Sequence, residues 1–157
     1  MISSDFFHEH PEQFYDFYCH EMVYEQAQPN DAHMALAKLE RMGKLKAVIT
    51  QNIDGLHQKA GSHKVLELHG SIHRNHCQRC HAAYDLQAML KQKDQVPRCP
   101  ICNGILKPDV VLYGESLDMH VMEEAISYLS QADVLIEGGT SLVVYQAAGL
   151  LQSFHGR

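Results

Sequence analysis

The sequence predicts an α/β fold, a parallel sheet covered by helices on both faces, with one small metal-held module inserted into it. Three observations carry that expectation. Short apolar or β-branched runs alternate with amphipathic helical patterns, the arrangement that builds parallel sheets. A chain of 157 residues with 45% apolar and 20% charged residues can bury one ordinary core, and is short for two. Finally, Cys77-x2-Cys80 and Cys99-x2-Cys102, separated by residues 81–98, have the spacing of a four-thiolate zinc site.

Taken in order, residues 11–26 place Phe14, Phe17, Tyr18 and Met22 at helical spacing after a proline suited to a first turn. A second helix follows, with Ala32, Ala35, Leu36, Leu39 and Met42 on one face, Asn30 or Asp31 as cap and Gly43 as terminator. Lys46-Ala47-Val48-Ile49-Thr50 reads as a buried strand and Val65-Leu66-Glu67-Leu68 as a second. Residues 71–103 are polar and loop-rich, with one helical stretch over Tyr84–Lys91. Val110-Val111-Leu112-Tyr113 reads as a strand, then a helix turns Val121, Met122, Ala125, Ile126 and Leu129 inward. Val134-Leu135-Ile136 reads as another buried strand, running into Gly138-Gly139-Thr140-Ser141, and a further helix is expected from Val144.

A formal net charge of -6 with scattered Lys and Arg argues against a nucleic-acid partner, which needs clustered positive charge. No run approaches a membrane span, and Met1-Ile2-Ser3-Ser4-Asp5 lacks the layout of an export signal, so the chain is read as cytoplasmic. Five cysteines in a reducing compartment favour metal ligation over disulfides. Two Cys-x2-Cys turns close a tetrahedron with no open position, so the zinc is structural. Cys19 is left as a buried or half-buried free thiol, and a full cysteine set gives His73, His76 and His81 no vacancy.

Three segments follow expected strands, where α/β sheets gather ligands. Thr50-Gln51-Asn52-Ile53-Asp54-Gly55-Leu56-His57 brings amide and carboxylate groups to a strand end, although the same letters describe a plain turn. Leu68-His69-Gly70-Ser71 offers a histidine as general base, one of 12 in the chain. Gly138-Gly139-Thr140-Ser141 suits a phosphate at a helix start, or a capped turn.

The order Thr-Gln-Asn-Ile-Asp-x-Leu-His, His-Gly-Ser, two Cys-x2-Cys pairs, Lys-Pro-Asp-Val-Val-Leu-Tyr-Gly-Glu and Gly-Gly-Thr-Ser-Leu resembles the sirtuin family across most of residues 44–151, in its bacterial texture. The resemblance implies a Rossmann-like domain, residues 1–70 and 104–157, with a zinc-binding module at 71–103. It implies an NAD-dependent protein lysine deacetylase acting on acetylated proteins, with NAD as co-substrate. His69 matches the family's catalytic histidine, a base on the ribose hydroxyl that takes the acyl group as nicotinamide departs. By the same resemblance Gln51, Asn52, Ile53, Asp54, Gly139, Thr140 and Ser141 would contact NAD. Val110, Val111, Leu112, Tyr113, Gly114 and Glu115 would border the substrate peptide, paired as an added strand.

The sirtuin branch that removes succinyl and malonyl groups carries Tyr-x-x-Arg, and the matching Tyr18-Cys19-His20-Glu21 has an acid instead, which favours acetyl or another neutral acyl group. The family's Gly-Ala-Gly loop and Asp-Phe-Arg segment have no counterpart here, nor does its later Asn-Ser loop, and Gln146 stands where relatives place proline. The Rossmann-like sheet is therefore expected to be partial, and the chain as it stands is expected not to turn over NAD. The alternative is a non-catalytic zinc-binding remnant or a peptide-binding module.

Overall fold

The computed structural model describes residues 1–140 and 149–156, and these form two compact units. The first comprises Met1–Gln28, Asn52–Leu56 and His69–Ser116, the second Pro29–Gln51, His57–Leu68 and Leu117–Arg157. The helix expected from Val144, with Ser141 and Gln146, lies outside the described residues.

The first unit opens with α1 (Ser4–Glu9), which the sequence reading missed. Ser3 caps it by accepting from the Phe6 N–H. α2 (Pro11–Phe17) starts on its proline as expected and continues into a π-helical turn, Tyr18–Met22, so the helix expected over residues 11–26 stops short. Phe7, Phe14, Tyr15 and Tyr18 are almost wholly buried, with Phe14 and Tyr18 stacked at 5.9 Å and the Tyr15 hydroxyl donating to the Leu106 carbonyl. A phenol buried this way finds its partner in a strand backbone. Cys19 is half-buried and free, beside this cluster.

Against these aromatics lies an antiparallel sheet in the order β4 (Ala83–Tyr84), β3 (Gly70–Cys77), β5 (Leu106–Val110). It corrects the expected loop over 71–103: β3 is a strand of 8 residues whose polar letters hide it. The strand expected at Val110–Tyr113 is displaced to Leu106–Val110, because β3 pairs with those residues from Gly70↔Val110 to Cys77↔Leu106. Pro108 is tolerated because β5 is an edge strand. Between Ser71 and Asn75 the register slips. The buried Ser71 hydroxyl accepts from the His73 N–H (3.2 Å) and Asn75 Nδ2 donates to the Ile72 carbonyl (3.2 Å), replacing ladder bonds lost at the bulge. α5 (Leu86–Leu90) is the expected short helix, capped by Asp85.

The second unit holds α3 (Asp31–Arg41), β1 (Val48–Thr50), β2 (Val65–Glu67) and α6 (Met119–Gln131), with the short α4 (Leu56–Lys59) at the boundary. β1 and β2 are parallel, in register Val48↔Val65, Ile49↔Leu66 and Thr50↔Glu67, and Lys46 and Ala47 stay outside the strand. Leu66, Leu68, Ala125, Leu129 and Leu150 form its core. Asn30 and His33 make a reciprocal capping box on α3, and Gly43 ends the helix at φ +70°. The inward face of α3 is centred on Ala37 with Leu36 and Leu39 beside it, whereas Ala32, Ala35 and Met42 are exposed. Two carboxylate oxygens of Glu40 accept from the His63 and Lys64 N–H groups (3.0 and 2.8 Å), fixing the entry to β2. On α6, Ile126 faces out rather than in. Val134-Leu135-Ile136 is not a strand: Val134 is 75% and Ile136 69% exposed, because the described residues supply no strand to pair with it. No helix among the described residues is long and apolar enough to cross a membrane.

Candidate active site and metal centre

The cysteines converge through two copies of one turn. In the first, Cys77 N–H bonds to Ala82 O (2.9 Å) and His81 N–H to Cys77 O (3.0 Å). In the second, Cys99 N–H bonds to Gly104 O (2.8 Å) and Asn103 N–H to Cys99 O (2.8 Å). His81 and Asn103, each following the second cysteine of its pair, both take left-handed backbone (φ 59° and 60°), which reverses the chain so that two sulfurs face inward. All four sulfurs lie within 4.8 Å of one another, with Cys77–Cys102 at 3.4 Å and Cys80–Cys99 at 3.7 Å. A zinc ion with bonds of about 2.3 Å needs tetrahedral S···S separations of about 3.8 Å, so the set fits. Burial pushes the Cys99 thiol up, but the Tyr84 hydroxyl at 3.0 Å and the Cys102 and Ile101 N–H groups outweigh it and bring it down to about 6, toward the thiolate a metal requires. Gly104 lets the turns meet, since a Cβ there would stand 2.8 Å from the Cys77 sulfur.

Three sequence-remote segments meet in the first unit through main-chain bonds. The turn bearing His69 leaves β2, and its carbonyl accepts from the Val111 N–H (3.0 Å). Two residues beyond Gly70, the Ile72 N–H donates to Ile53 O (3.1 Å), drawing in Asn52–Leu56. Asp54 Oδ1 accepts from the Leu56 N–H (2.9 Å), an Asx turn that leaves the left-handed φ of 71° to Gly55. His69 itself is half-buried.

Gly70 explains how the histidine comes so close to β5. It sits at φ +75°, and a Cβ would lie 1.8 Å from the Asp109 carbonyl oxygen. Gly70→Ala is therefore expected to cost about 3 kcal/mol or more in a denaturant melt, through strain and forced strand separation. Gly43→Ala, equally left-handed but with nothing within 4 Å, is expected to cost only about 1–2 kcal/mol. Equal losses at the two positions would show that β3 and β5 do not approach so closely.

The segment Val110–Glu115 is bound mostly to its own unit. Val110 and Leu112 are buried, and Tyr113 is 67% exposed. The Tyr113 N–H donates to Ile2 O (3.0 Å) and its carbonyl accepts from the Ser4 N–H (2.9 Å), a parallel bridge to the chain start. The Glu115 carboxylate accepts from the Leu112 N–H (2.9 Å), from the buried Lys107 Nζ (3.1 Å) and from Ser4 Oγ (3.4 Å). The resemblance implies only a peptide-bordering place for Glu115, and the pairing of Lys107, first residue of the same motif, with its carboxylate is a finding of the structure. A lysine buried in a strand is a signal in itself, since it needs a carboxylate partner. Gly114 takes φ +90° with open space above it. In the second unit, Gln51 Nε2 donates to Thr140 Oγ1 (3.2 Å), and Gly139 precedes it at φ +70°. These residues, remote in sequence, are thus joined, while Ser141 falls outside the described residues.

Comparison with known proteins agrees with this arrangement. The Sir2 family model matches residues 1–146, and the chain belongs to that family. The NAD-dependent protein deacetylase of Clostridium tetani is 57% identical over 156 residues, covering 99% of this chain and 63% of the relative. That of Clostridium perfringens is 58% identical over 154 residues, covering 98% and 63%. Among solved structures, Sir2 bound to acetylated peptide superposes with a TM-score of 0.93 at 44% identity, covering 99% of this chain and 68% of that one. Sir2 in complex with the inhibitor EX-527, 2'-O-acetyl-ADP-ribose and deacetylated p53 peptide gives 0.92 at 45% identity, covering 99% and 69%. The chain thus has the sirtuin α/β fold with its cysteine cluster, and spans just under two thirds of these curated relatives.

Proposed function

We propose that the chain is the core of an NAD-dependent protein lysine deacetylase. The observation that carries this reading is the joining of His69, Asn52–Asp54 and Val111 by main-chain hydrogen bonds within one unit. On this reading residues 71–103 are the zinc-binding module, which holds both cysteine turns, and 1–70 with 104–157 belong to a partial Rossmann-like NAD-binding domain.

On this reading Asn52, Ile53 and Asp54 are the NAD contacts of the first unit, and Gln51, Gly139 and Thr140 those of the second, with Ser141 assigned by resemblance alone. Bound there, NAD supplies the ribose that receives the acyl group while nicotinamide leaves. His69 takes the proton from the ribose hydroxyl on a ring nitrogen, which requires the neutral imidazole. The substrate peptide lies along Val110–Glu115. Since Ile2 and Ser4 already occupy the main-chain groups of Tyr113 and the Val111 N–H donates to the His69 carbonyl, the bonds for an added strand come from the Val111 carbonyl and from Gly114. Glu21, exposed where a desuccinylating relative places arginine, favours a neutral acetyl chain on the substrate lysine. Thiols kept as metal ligands fit a cytoplasmic protein.

Calorimetric titration with NAD, followed by deacetylation of an acetyl-lysine peptide, tests the reading. The chain is compared with a version joined to the Clostridium tetani segments outside the matched residues. The joined version is expected to bind NAD and release nicotinamide only when the acetylated peptide is present. If neither version bound NAD, the reading would give way to a zinc-binding or peptide-binding module.

A further inference from the structure

We propose that His73 is a positioning residue that sets the pose of Asn52-Ile53-Asp54, an inference that rests on the NAD role given to those residues above. Its ring Nε2 lies 3.1 Å from the Asp54 carbonyl oxygen. A carbonyl only accepts, so Nε2 carries the proton and donates.

The bulge in β3 makes this reach possible. Between Ser71 and Asn75 the strand leaves its register with β5, and the buried Ser71 and Asn75 side chains hold the bulged backbone from both ends. Bulges of this kind re-aim a side chain. Here consecutive residues, Ile72 and His73, donate to consecutive carbonyls, Ile53 and Asp54. One such bond lets a loop pivot about it; a second, one residue along, removes that rotation. The other side of the contact is equally specific. A Cβ on Gly55 would stand 2.8 Å from both Cδ2 and Nε2 of His73, so the imidazole occupies the space that only glycine leaves. Asp54 is then fixed at three points: its carbonyl by His73, its carboxylate by the Leu56 N–H and its neighbour Ile53 by β3. His73 is itself exposed and lies outside the aromatic core, so replacing it removes the tether without opening a cavity.

The test uses the zinc-loaded chain, with His73→Ala and His73→Gln, whose amide nitrogen can take the place of Nε2. Hydrogen–deuterium exchange is read over residues 52–58, and NAD affinity by calorimetry on the same samples. His73→Ala is expected to speed exchange at residues 53–56 by about fivefold to tenfold and to weaken NAD by a similar factor, the loss of one hydrogen bond. Zinc content and thermal midpoint stay unchanged, and His73→Gln restores both exchange and affinity. Unchanged exchange in His73→Ala overturns the proposal, as does a Gln variant that behaves like Ala. If neither the chain nor the version joined to the relative's segments binds NAD, the cofactor reading fails instead, and the exchange comparison alone upholds or overturns the tether.

Discussion

Stripping zinc from Cys77, Cys80, Cys99 and Cys102 is expected to unfold the antiparallel sheet of the first unit. The reason lies in how little else holds the two cysteine turns. β4 is only two residues long, and Ile101, at the tip of the second turn, is 74% exposed. His81 and Asn103 sit in left-handed backbone, which a residue bearing a Cβ adopts only when its surroundings compel it. Structural zinc in thiolate sites contributes an apparent free energy of about 10–16 kcal/mol, against a typical domain stability of about 5–15 kcal/mol. Removing it therefore exceeds what β3, β5 and the aromatic cluster can offset. Purified protein should carry one zinc per chain by elemental analysis. Chelator should raise hydrogen exchange over residues 70–110 far more than over α6. Cys99→Ser should do the same without chelator, while Cys19→Ser, half-buried and outside the cluster, should leave the zinc in place. A chain that keeps its exchange pattern after complete zinc loss would refute this account.

What the sequence displayed and what it concealed follow from where each interaction is encoded. The zinc set was legible because both halves of the site are local, two ligands within four residues, twice over. The caps of α3 were legible for the same reason: Asn30 and Gly43 act on backbone beside them. β3 was not, because its buried face is spent on Ser71 and Asn75, polar residues that serve the bulge instead of the alternating apolar pattern a strand usually shows. The displacement from Val110–Tyr113 to Leu106–Val110 has the same origin, since the apolar letters are at one end of the segment and its partner strand is at the other. Val134–Ile136 shows the reverse error. Its composition says strand, but a strand is a pairing, and the described residues provide no partner. In the site, the resemblance singles out Asn52–Asp54 and His69, segments that the structure joins through the backbone of Ile72 and Val111. The Gly70 approach to Asp109 and the His73 contact with Gly55 were not legible, because each depends on an absent Cβ facing a strand remote in sequence.

His69→Ala is expected to lower deacetylation by about two to four orders of magnitude, the usual worth of general-base assistance. The measurement belongs in whichever form turns over NAD, the chain itself or the version extended with a relative's segments. The structure separates this effect from a folding defect. The His69 main-chain carbonyl accepts from the N–H of Val111, the residue after β5, and that bond survives loss of the ring. Gly70, not the imidazole, governs the close approach of the strands. His69→Ala should accordingly keep its zinc, its melting midpoint and its NAD affinity while turnover collapses, whereas Gly70→Ala should lose stability first. His69→Gln, which keeps a hydrogen-bonding side chain but supplies no base, should be as inactive as the alanine variant. An alanine variant within a factor of three of the parent, or a glutamine variant that recovers activity, would assign the base to another residue.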